Sequence, residues 1–167
     1  MRKVKVAVNG YGVIGKRVAD AVKQQEDMEL VGVADVVTDY RIKTAAVLGL
    51  DIYAALPDKA QAMRAADIPV AGTLDDLLRK VDVVADCTPK KIGAANKILY
   101  EQAGVRAIYQ GGESHALTGH SFVAQANYET AIGRSSTRVV SCNTTSIVRT
   151  LGALKKAGLL KRARGTL

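Results

Sequence analysis

Val4-Lys5-Val6-Ala7-Val8-Asn9-Gly10-Tyr11-Gly12-Val13-Ile14-Gly15 decides the fold of this chain. Valines and an alanine mark residues 4–8 as a strand, and three glycines follow at the spacing G-x-G-x-x-G. Val13 and Ile14 then open a helix whose periodicity runs to about Lys23. The glycine spacing draws its meaning from that setting, with a strand before it and a helix after it. Gly10 allows the tight turn, Gly12 lets the backbone approach a pyrophosphate, and Gly15 permits close packing of helix on strand. A pyrophosphate would rest on N–H groups near Val13 and Ile14, at the positive end of the helix. The expected cofactor is therefore NAD or NADP. Asp35 stands 20 residues beyond Gly15, at the end of the second strand. A carboxylate there hydrogen-bonds the adenosine ribose hydroxyls and repels a 2′-phosphate, which favours NAD. Arg41 and Lys43 follow closely enough that a bent loop could offer them to a phosphate.

Outward from the fingerprint, short β-branched runs alternate with helical stretches, the pattern of a parallel sheet. Residues 30–34, 81–86, 105–109, 121–126 and 139–141 read as further strands. Residues 40–48, 58–65, 92–102 and 144–156 read as helices, and Thr73 with Asp75 and Asp76 starts another that runs to about Lys80. Gly104 is the expected stop of the 92–102 helix. Residues 159–167 begin to look like one more strand, and the chain stops there with no polar tail or cap, as a fragment of a longer protein would. The expected fold class is α/β, a doubly wound Rossmann-type parallel sheet with helices on both faces. Residues 1–141 form the expected NAD(P)-binding domain, and 142–167 a cysteine helix with the start of a truncated catalytic domain.

Bulk composition narrows the class. A chain of 167 residues, 48% hydrophobic and 24% charged, is long enough to bury a core and is not composed like a disordered segment. No apolar run approaches the roughly 18 residues of a membrane span, and no secretory signal precedes the first strand. Two cysteines, Cys87 and Cys142, make no disulfide framework, so the cytoplasm is the expected compartment. The net charge of +8 gathers at Arg2, Lys3 and Lys5 and at Lys155, Lys156, Lys161, Arg162 and Arg164. Basic surfaces attract nucleic acid or phosphorylated metabolites and cofactors alike. With six tyrosines, one phenylalanine and no aromatic-interleaved basic run, nucleic acid is the less favoured partner.

Arg138-Val139-Val140-Ser141-Cys142-Asn143-Thr144-Thr145 carries the chemistry. A short apolar strand runs straight into a cysteine, with a helix start directly behind it. A thiol at a helix N-terminus sits among unpaired N–H groups and a dipole that favour the anion, which lowers a cysteine's pKa and makes a thiolate nucleophile. Ser141 and Asn143 could hold an oxyanion or a substrate phosphate. Cys87 ends a strand and precedes Thr88-Pro89, without a helix immediately behind it, and reads as a small core residue. Thr88 and Pro89 fall on the C-terminal strand edge where cofactor contacts collect. His115 and His120 are the only histidines, and spacing alone brings neither beside Cys142. The pattern points to no metal ligands.

These residues resemble the archaeal-type (type II) glyceraldehyde-3-phosphate dehydrogenases. The likeness rests on residues 8–18 (Val-Asn-Gly-Tyr-Gly-Val-Ile-Gly-Lys-Arg-Val), 70–73 (Val-Ala-Gly-Thr), 110–113 (Gln-Gly-Gly-Glu) and 138–145 (Arg-Val-Val-Ser-Cys-Asn-Thr-Thr). It covers this whole chain and the first half of the family's. The resemblance implies oxidation of glyceraldehyde 3-phosphate to 1,3-bisphosphoglycerate, with inorganic phosphate as second substrate and hydride transfer to NAD(P). Cys142 would be the nucleophile, Val13 and Ile14 pyrophosphate contacts, Gly112 another cofactor contact, and Ser141 to Asn143 the substrate-binding stretch. It further implies a homotetramer, and a catalytic histidine and phosphate-binding arginines in a second domain beyond this chain. Asp35 stands where the family often has a lysine associated with NADP use, which again favours NAD.

Two other readings share parts of this pattern. A semialdehyde dehydrogenase of the aspartate or N-acetylglutamyl-phosphate type has the same plan of dinucleotide domain followed by a cysteine, although Ser-Cys-Asn-Thr-Thr suits it less. A non-catalytic NAD- or RNA-binding module would use the basic surface instead, and its RNA affinity would fall steeply with salt.

Overall fold

The computed structural model describes residues 2–166. The chain alternates strand and helix as β1 (Val4–Asn9), α1 (Val13–Lys23), β2 (Met28–Asp35), α2 (Tyr40–Val47), β3 (Ile52–Ala54), α3 (Lys59–Ala65), β4 (Val70–Thr73) and α4 (Leu74–Leu78). It continues through β5 (Val83–Asp86), α5 (Ile92–Gln102), β6 (Arg106–Tyr109), α6 (His115–Thr118), β7 (Ser121–Phe122), α7 (Ala124–Asn127), β8 (Ser136–Val139) and α8 (Cys142–Lys156). A 3-10 turn at Tyr128–Ala131 precedes β8.

The strands form one sheet in the order β4-β3-β2-β1-β5-β6-β8-β7, and every neighbouring pair runs parallel. Parallel strands alternate their side chains between two buried faces. Val8, Val33, Ile52 and Ala85 point to one face, where Ala19 of α1, Ile42 and Ala45 of α2 and Met63 of α3 cover them. Ala7, Ala34, Tyr53 and Val84 point to the other, under Leu74, Leu77 and Leu78 of α4 and Tyr100 of α5. The expected doubly wound Rossmann-type sheet is the observed one. Strand order reverses at β1, which lies between β2 and β5, so a crevice opens at the carboxyl ends of β1 and β5.

Thr73 and Asp76 form a reciprocal capping box, so α4 starts where the sequence predicts. Four local expectations are corrected. Residues 121–126 are a strand only over Ser121–Phe122, because Val123 N–H donates to Asn127 Oδ1 and the chain turns into α7. The last strand is Ser136–Val139 rather than 139–141, set by its pairing with β6. Helix α8 begins at Cys142 and not at Thr144, since Ser141 Oγ accepts the Thr144 N–H at 3.2 Å and makes Ser141 the N-cap. Residues 159–166 form no strand, and Leu167 lies outside the described residues. The short strands β3 and β4 went unread because three or four residues carry too little periodicity.

Candidate functional site

The glycine turn between β1 and α1 is built by close approach. A Cβ on Gly15 would meet Gly10 O at 1.9 Å, and one on Gly10, whose φ is +90°, would meet the Cys87 carbonyl carbon at 2.8 Å. Gly12 differs: nothing lies within 4 Å of where its Cβ would be. Helix α1 has no side-chain cap and no acidic residue in its first turn. Its leading N–H groups therefore face an open space at the positive end of the helix, the chemistry that receives a pyrophosphate. Val13 is 68% exposed beside that space.

Asp35 closes β2 against this turn. Its Oδ2 accepts the Tyr11 N–H at 2.7 Å, and its Oδ1 accepts the Val36 and Val37 N–H groups at 2.7 and 3.3 Å. The carboxylate therefore holds the glycine turn as well as lying where a ribose would come. Oδ1 is filled by its two N–H donors, whereas Oδ2 keeps a lone pair for a hydroxyl donor. Arg41 is engaged by Asp39, the N-cap of α2, through Nε and Nη2.

Under the crevice lies a polar network that the sequence did not reveal. Asp86, 1% exposed, accepts the Thr88 N–H and hydroxyl on Oδ1 and Asn96 Nδ2 and the Tyr100 hydroxyl on Oδ2, while Asn9 Nδ2 donates to the Tyr100 oxygen. Burial first, and then the Asp86 charge, push the Tyr100 hydroxyl far above the usual phenol range. The Thr88 hydroxyl is thereby occupied, and what Thr88 and Pro89 offer the crevice is backbone. A Cβ on Gly111 would meet Thr88 O at 1.9 Å, so the 110–113 loop lies directly on this strand end.

Glu113 fixes that loop. Its buried Oε1 accepts the Lys91 N–H at 2.6 Å and the Ala94 N–H at 3.4 Å, capping α5 from a distant loop. Arg138 supports the same loop, donating from Nη1 to Glu113 O at 3.0 Å and from Nε to Ser121 Oγ at 2.9 Å. Reading the Gln-Gly-Gly-Glu run only as a turn missed both roles, since neither partner is local in sequence.

Cys142 is exposed at the first position of the fifteen-residue α8. Asn143 Oδ1 lies 3.9 Å from its Sγ. A cavity of about 1020 Å³ joins Cys142 and Ser141 to Ile14 of the glycine turn and to Gln110 and Gly112 of the Glu113-held loop. Arg149, two turns along α8, lines it too. The fold thus brings Ile14, Gly112, Ser141 and Cys142 together at one face of the crevice. Asp35, Thr88 and Pro89 do not line that cavity; Asp35 marks the other end, beyond the glycine turn. An arrangement with an extended groove at a helix N-terminus and an accessible thiol at one end can hold a dinucleotide and present a carbonyl to sulfur.

Cys87 is of the other kind. It is half-buried against the β1–α1 face, and burial followed by the Asp86 charge pushes its thiol up to about 12. Neither histidine belongs to the cavity lining. His120 is buried, with Nδ1 2.6 Å from the Thr137 hydroxyl and Nε2 2.9 Å from that of Thr130, so both ring nitrogens are used structurally. His115 Nδ1 meets Ser121 Oγ at 2.9 Å. Among the described residues no helix is long and apolar enough to cross a membrane.

The chain resembles known proteins along its whole length. The family described as dihydrodipicolinate reductase, N-terminus, matches residues 4–111. A glyceraldehyde-3-phosphate dehydrogenase of Methanococcoides burtonii is 52% identical over the whole chain and 50% of its own length. One of Thermococcus sibiricus is 56% identical over 92% of this chain and 46% of its own length. The chain spans about half the length of these curated relatives. Among solved structures, aspartate semialdehyde dehydrogenase II of Vibrio cholerae superimposes with a TM-score of 0.63 at 15% identity, covering 93% of this chain and 47% of that one, a likeness of fold.

Proposed function

We propose that this chain, which belongs to the dihydrodipicolinate reductase N-terminal family of dinucleotide-binding domains, is the cofactor-binding and nucleophile-bearing half of a phosphorylating glyceraldehyde-3-phosphate dehydrogenase. Residues 1–141 are the NAD(P) domain, and 142–167 are the cysteine helix and the start of a catalytic domain. One observation carries the reading: the thiol of Cys142 opens into the same cavity as Ile14 and Gly112. A nucleophile and a nicotinamide must share such a space for a carbon held on sulfur to lose hydride.

Gly10, Gly12 and Gly15 shape the turn, Val13 and Ile14 receive the pyrophosphate, Asp35 takes the ribose hydroxyls, Thr88 and Pro89 meet the cofactor at the carboxyl edge of β5, and Gly112 lies at the nicotinamide end. Asp35 makes NAD the favoured cofactor. Cys142 sulfur forms a bond to the aldehyde carbon of glyceraldehyde 3-phosphate while the carbonyl electron pair moves to oxygen. Backbone N–H groups at the Ser141–Asn143 helix start hold that oxyanion. Bound NAD(P) supplies the acceptor for the hydride that leaves this carbon. Inorganic phosphate then attacks the thioester carbon, the carbon–sulfur bond breaks, and the thiolate is restored as 1,3-bisphosphoglycerate departs. Cys142 is the first residue of α8, so the sulfur stands at the helix N-terminus at both ends of the cycle. The same reading carries a cytoplasmic homotetramer.

NAD titration and thiol labelling of the chain test the reading. NAD binds, and glyceraldehyde 3-phosphate protects Cys142 selectively from iodoacetamide. Absence of NAD binding, or protection at neither thiol, overturns it. The semialdehyde dehydrogenase alternative is not favoured, because its likeness is one of fold at 15% identity. A non-catalytic NAD- or RNA-binding module leaves the exposed Cys142 at the cavity without a purpose.

A further inference from the structure

Four residues beyond Asp35, the start of α2 carries a side-on ion pair. Asp39 Oδ1 accepts the Arg41 N–H at 2.9 Å, its two oxygens accept Arg41 Nε at 3.1 and 2.9 Å, and Oδ2 accepts Nη2 at 2.5 Å. The Nε/Nη2 edge of the guanidinium is thus closed on one carboxylate. The pair is not buried, with side chains 41% and 40% exposed, so it sits in reach of a ligand. Its surroundings are those of the ribose end of the crevice. Asp35 lies near enough for its charge to add to the hold on Arg41, and it bonds the glycine turn through the Tyr11 N–H at 2.7 Å. Lys16 of α1 lies over the Tyr11 and Tyr40 rings at 5.7 and 5.6 Å, and its charge reaches Asp39. Two cations therefore lie near Asp39, Lys16 resting on aromatic faces and Arg41 clasped by Asp39 itself.

We propose that Asp39 is a determinant of cofactor choice, withholding Arg41 from the 2′-phosphate of NADP. The inference rests on the reading that the glycine turn binds a dinucleotide. The Nε/Nη2 edge of a guanidinium matches one anion, carboxylate or phosphate, bidentately. Asp39 holds that edge from within its own helix turn, at high effective concentration, and its charge opposes a phosphate that would compete for it. Asp39 and Asp35 also repel a phosphate arriving beside the ribose. Neutralising Asp39 removes the competitor and one repulsive charge together, and leaves the charges of Arg41 and Lys16 uncompensated by it.

Asp39→Asn is the informative change, since its amide oxygen still accepts the Arg41 N–H and keeps the cap of α2. NAD and NADP titrations are run on the wild-type chain, Asp39→Asn, Arg41→Ala and the double variant, with helicity checked by circular dichroism. NADP affinity relative to NAD rises about fivefold to tenfold in Asp39→Asn, the scale of one partly solvated charge-assisted hydrogen bond, and the gain disappears in the double variant. If the ratio stays unchanged in Asp39→Asn, or the gain survives loss of Arg41, the inference is wrong. Should Asp39→Asn lose its fold, Asp39→Ser retains a capping oxygen and carries the same expectation. A wild-type chain that binds neither dinucleotide sinks the cofactor reading itself, whereas NAD binding with an unmoved ratio sinks only the role of Asp39.

Discussion

Two glycines three residues apart separate what the fold needs from what a ligand needs. At Gly15 an added Cβ would stand 1.9 Å from Gly10 O, more than about 1 Å inside ordinary van der Waals contact, and also press on Gly10 C at 2.9 Å. Both obstacles are backbone, so no rotamer change relieves them, and α1 must back away from the turn. Overpacking of this kind costs about 3 kcal/mol. At about 2–4 °C per kcal/mol for a domain of this size, Gly15→Ala melts about 6–12 °C below wild type. Gly12 has nothing within 4 Å of its Cβ position and a φ of −79°, which alanine adopts freely. Losing a glycine N-cap and restricting the unfolded chain pull in opposite directions, each by under about 1 kcal/mol, so Gly12→Ala melts within about 4 °C of wild type. Its methyl group nevertheless projects into the space assigned to the pyrophosphate, and NAD affinity falls at least about tenfold. Circular dichroism melts and NAD titrations read the two quantities separately. An Asp35-side or nicotinamide-side site that avoids the turn would show as Gly12→Ala binding NAD normally, and that result would refute the reasoning. So would a Gly15→Ala variant as stable as wild type.

Three further outcomes follow from the same geometry. Iodoacetamide near neutral pH modifies Cys142 at least about a hundredfold faster than Cys87, whose buried thiol is pushed up to about 12; equal rates by mass spectrometry would remove Cys142 from its role. Asp35→Lys shifts relative affinity from NAD toward NADP by about tenfold or more, and a wild type that already prefers NADP contradicts the assignment of Asp35. Burial, then Arg134 and His115, hold His120 below the usual imidazole range. Its folded pKa is lower than its unfolded one, so its contribution is complete above about pH 6.5 and is lost as pH falls through the folded value. Urea midpoints should drop from pH 8 to pH 5 in wild type and drop less in His120→Gln; an equal drop in both would show that His120 is not responsible.

Much of the fold was legible because its signals are local. The strand, glycine turn and helix at residues 4–23 are contiguous, and the alternation of Ala7 with Val8 and Ala34 with Val33 fixes two buried faces. Cys142 was found from its neighbours, yet its place was misread by two residues: Thr144 looked like the helix start, whereas the Ser141 hydroxyl is the cap and Cys142 the first helical residue. That shift puts the sulfur on the helix end itself. The 121–126 run failed as a strand for a related reason, a side-chain bond from Asn127 that outweighs β propensity over so short a stretch.

Sequence alone determined a parallel α/β domain with a dinucleotide turn, an acid after its second strand and a cysteine at a late helix, because each is set by residues within a few positions of one another. The tertiary structure decided how they act together. Ile14, Gly112 and Cys142 meet only because β1, β5, β6 and β8 lie side by side and deliver their loops to one edge. The cap that Glu113 places on α5, the clasp of Asp35 on Tyr11 and the twin hydroxyl partners of His120 likewise join segments that lie 10 to 24 residues apart. Strand order, not spacing along the chain, sets such distances, since a parallel sheet returns every loop to the same side after each helical crossover.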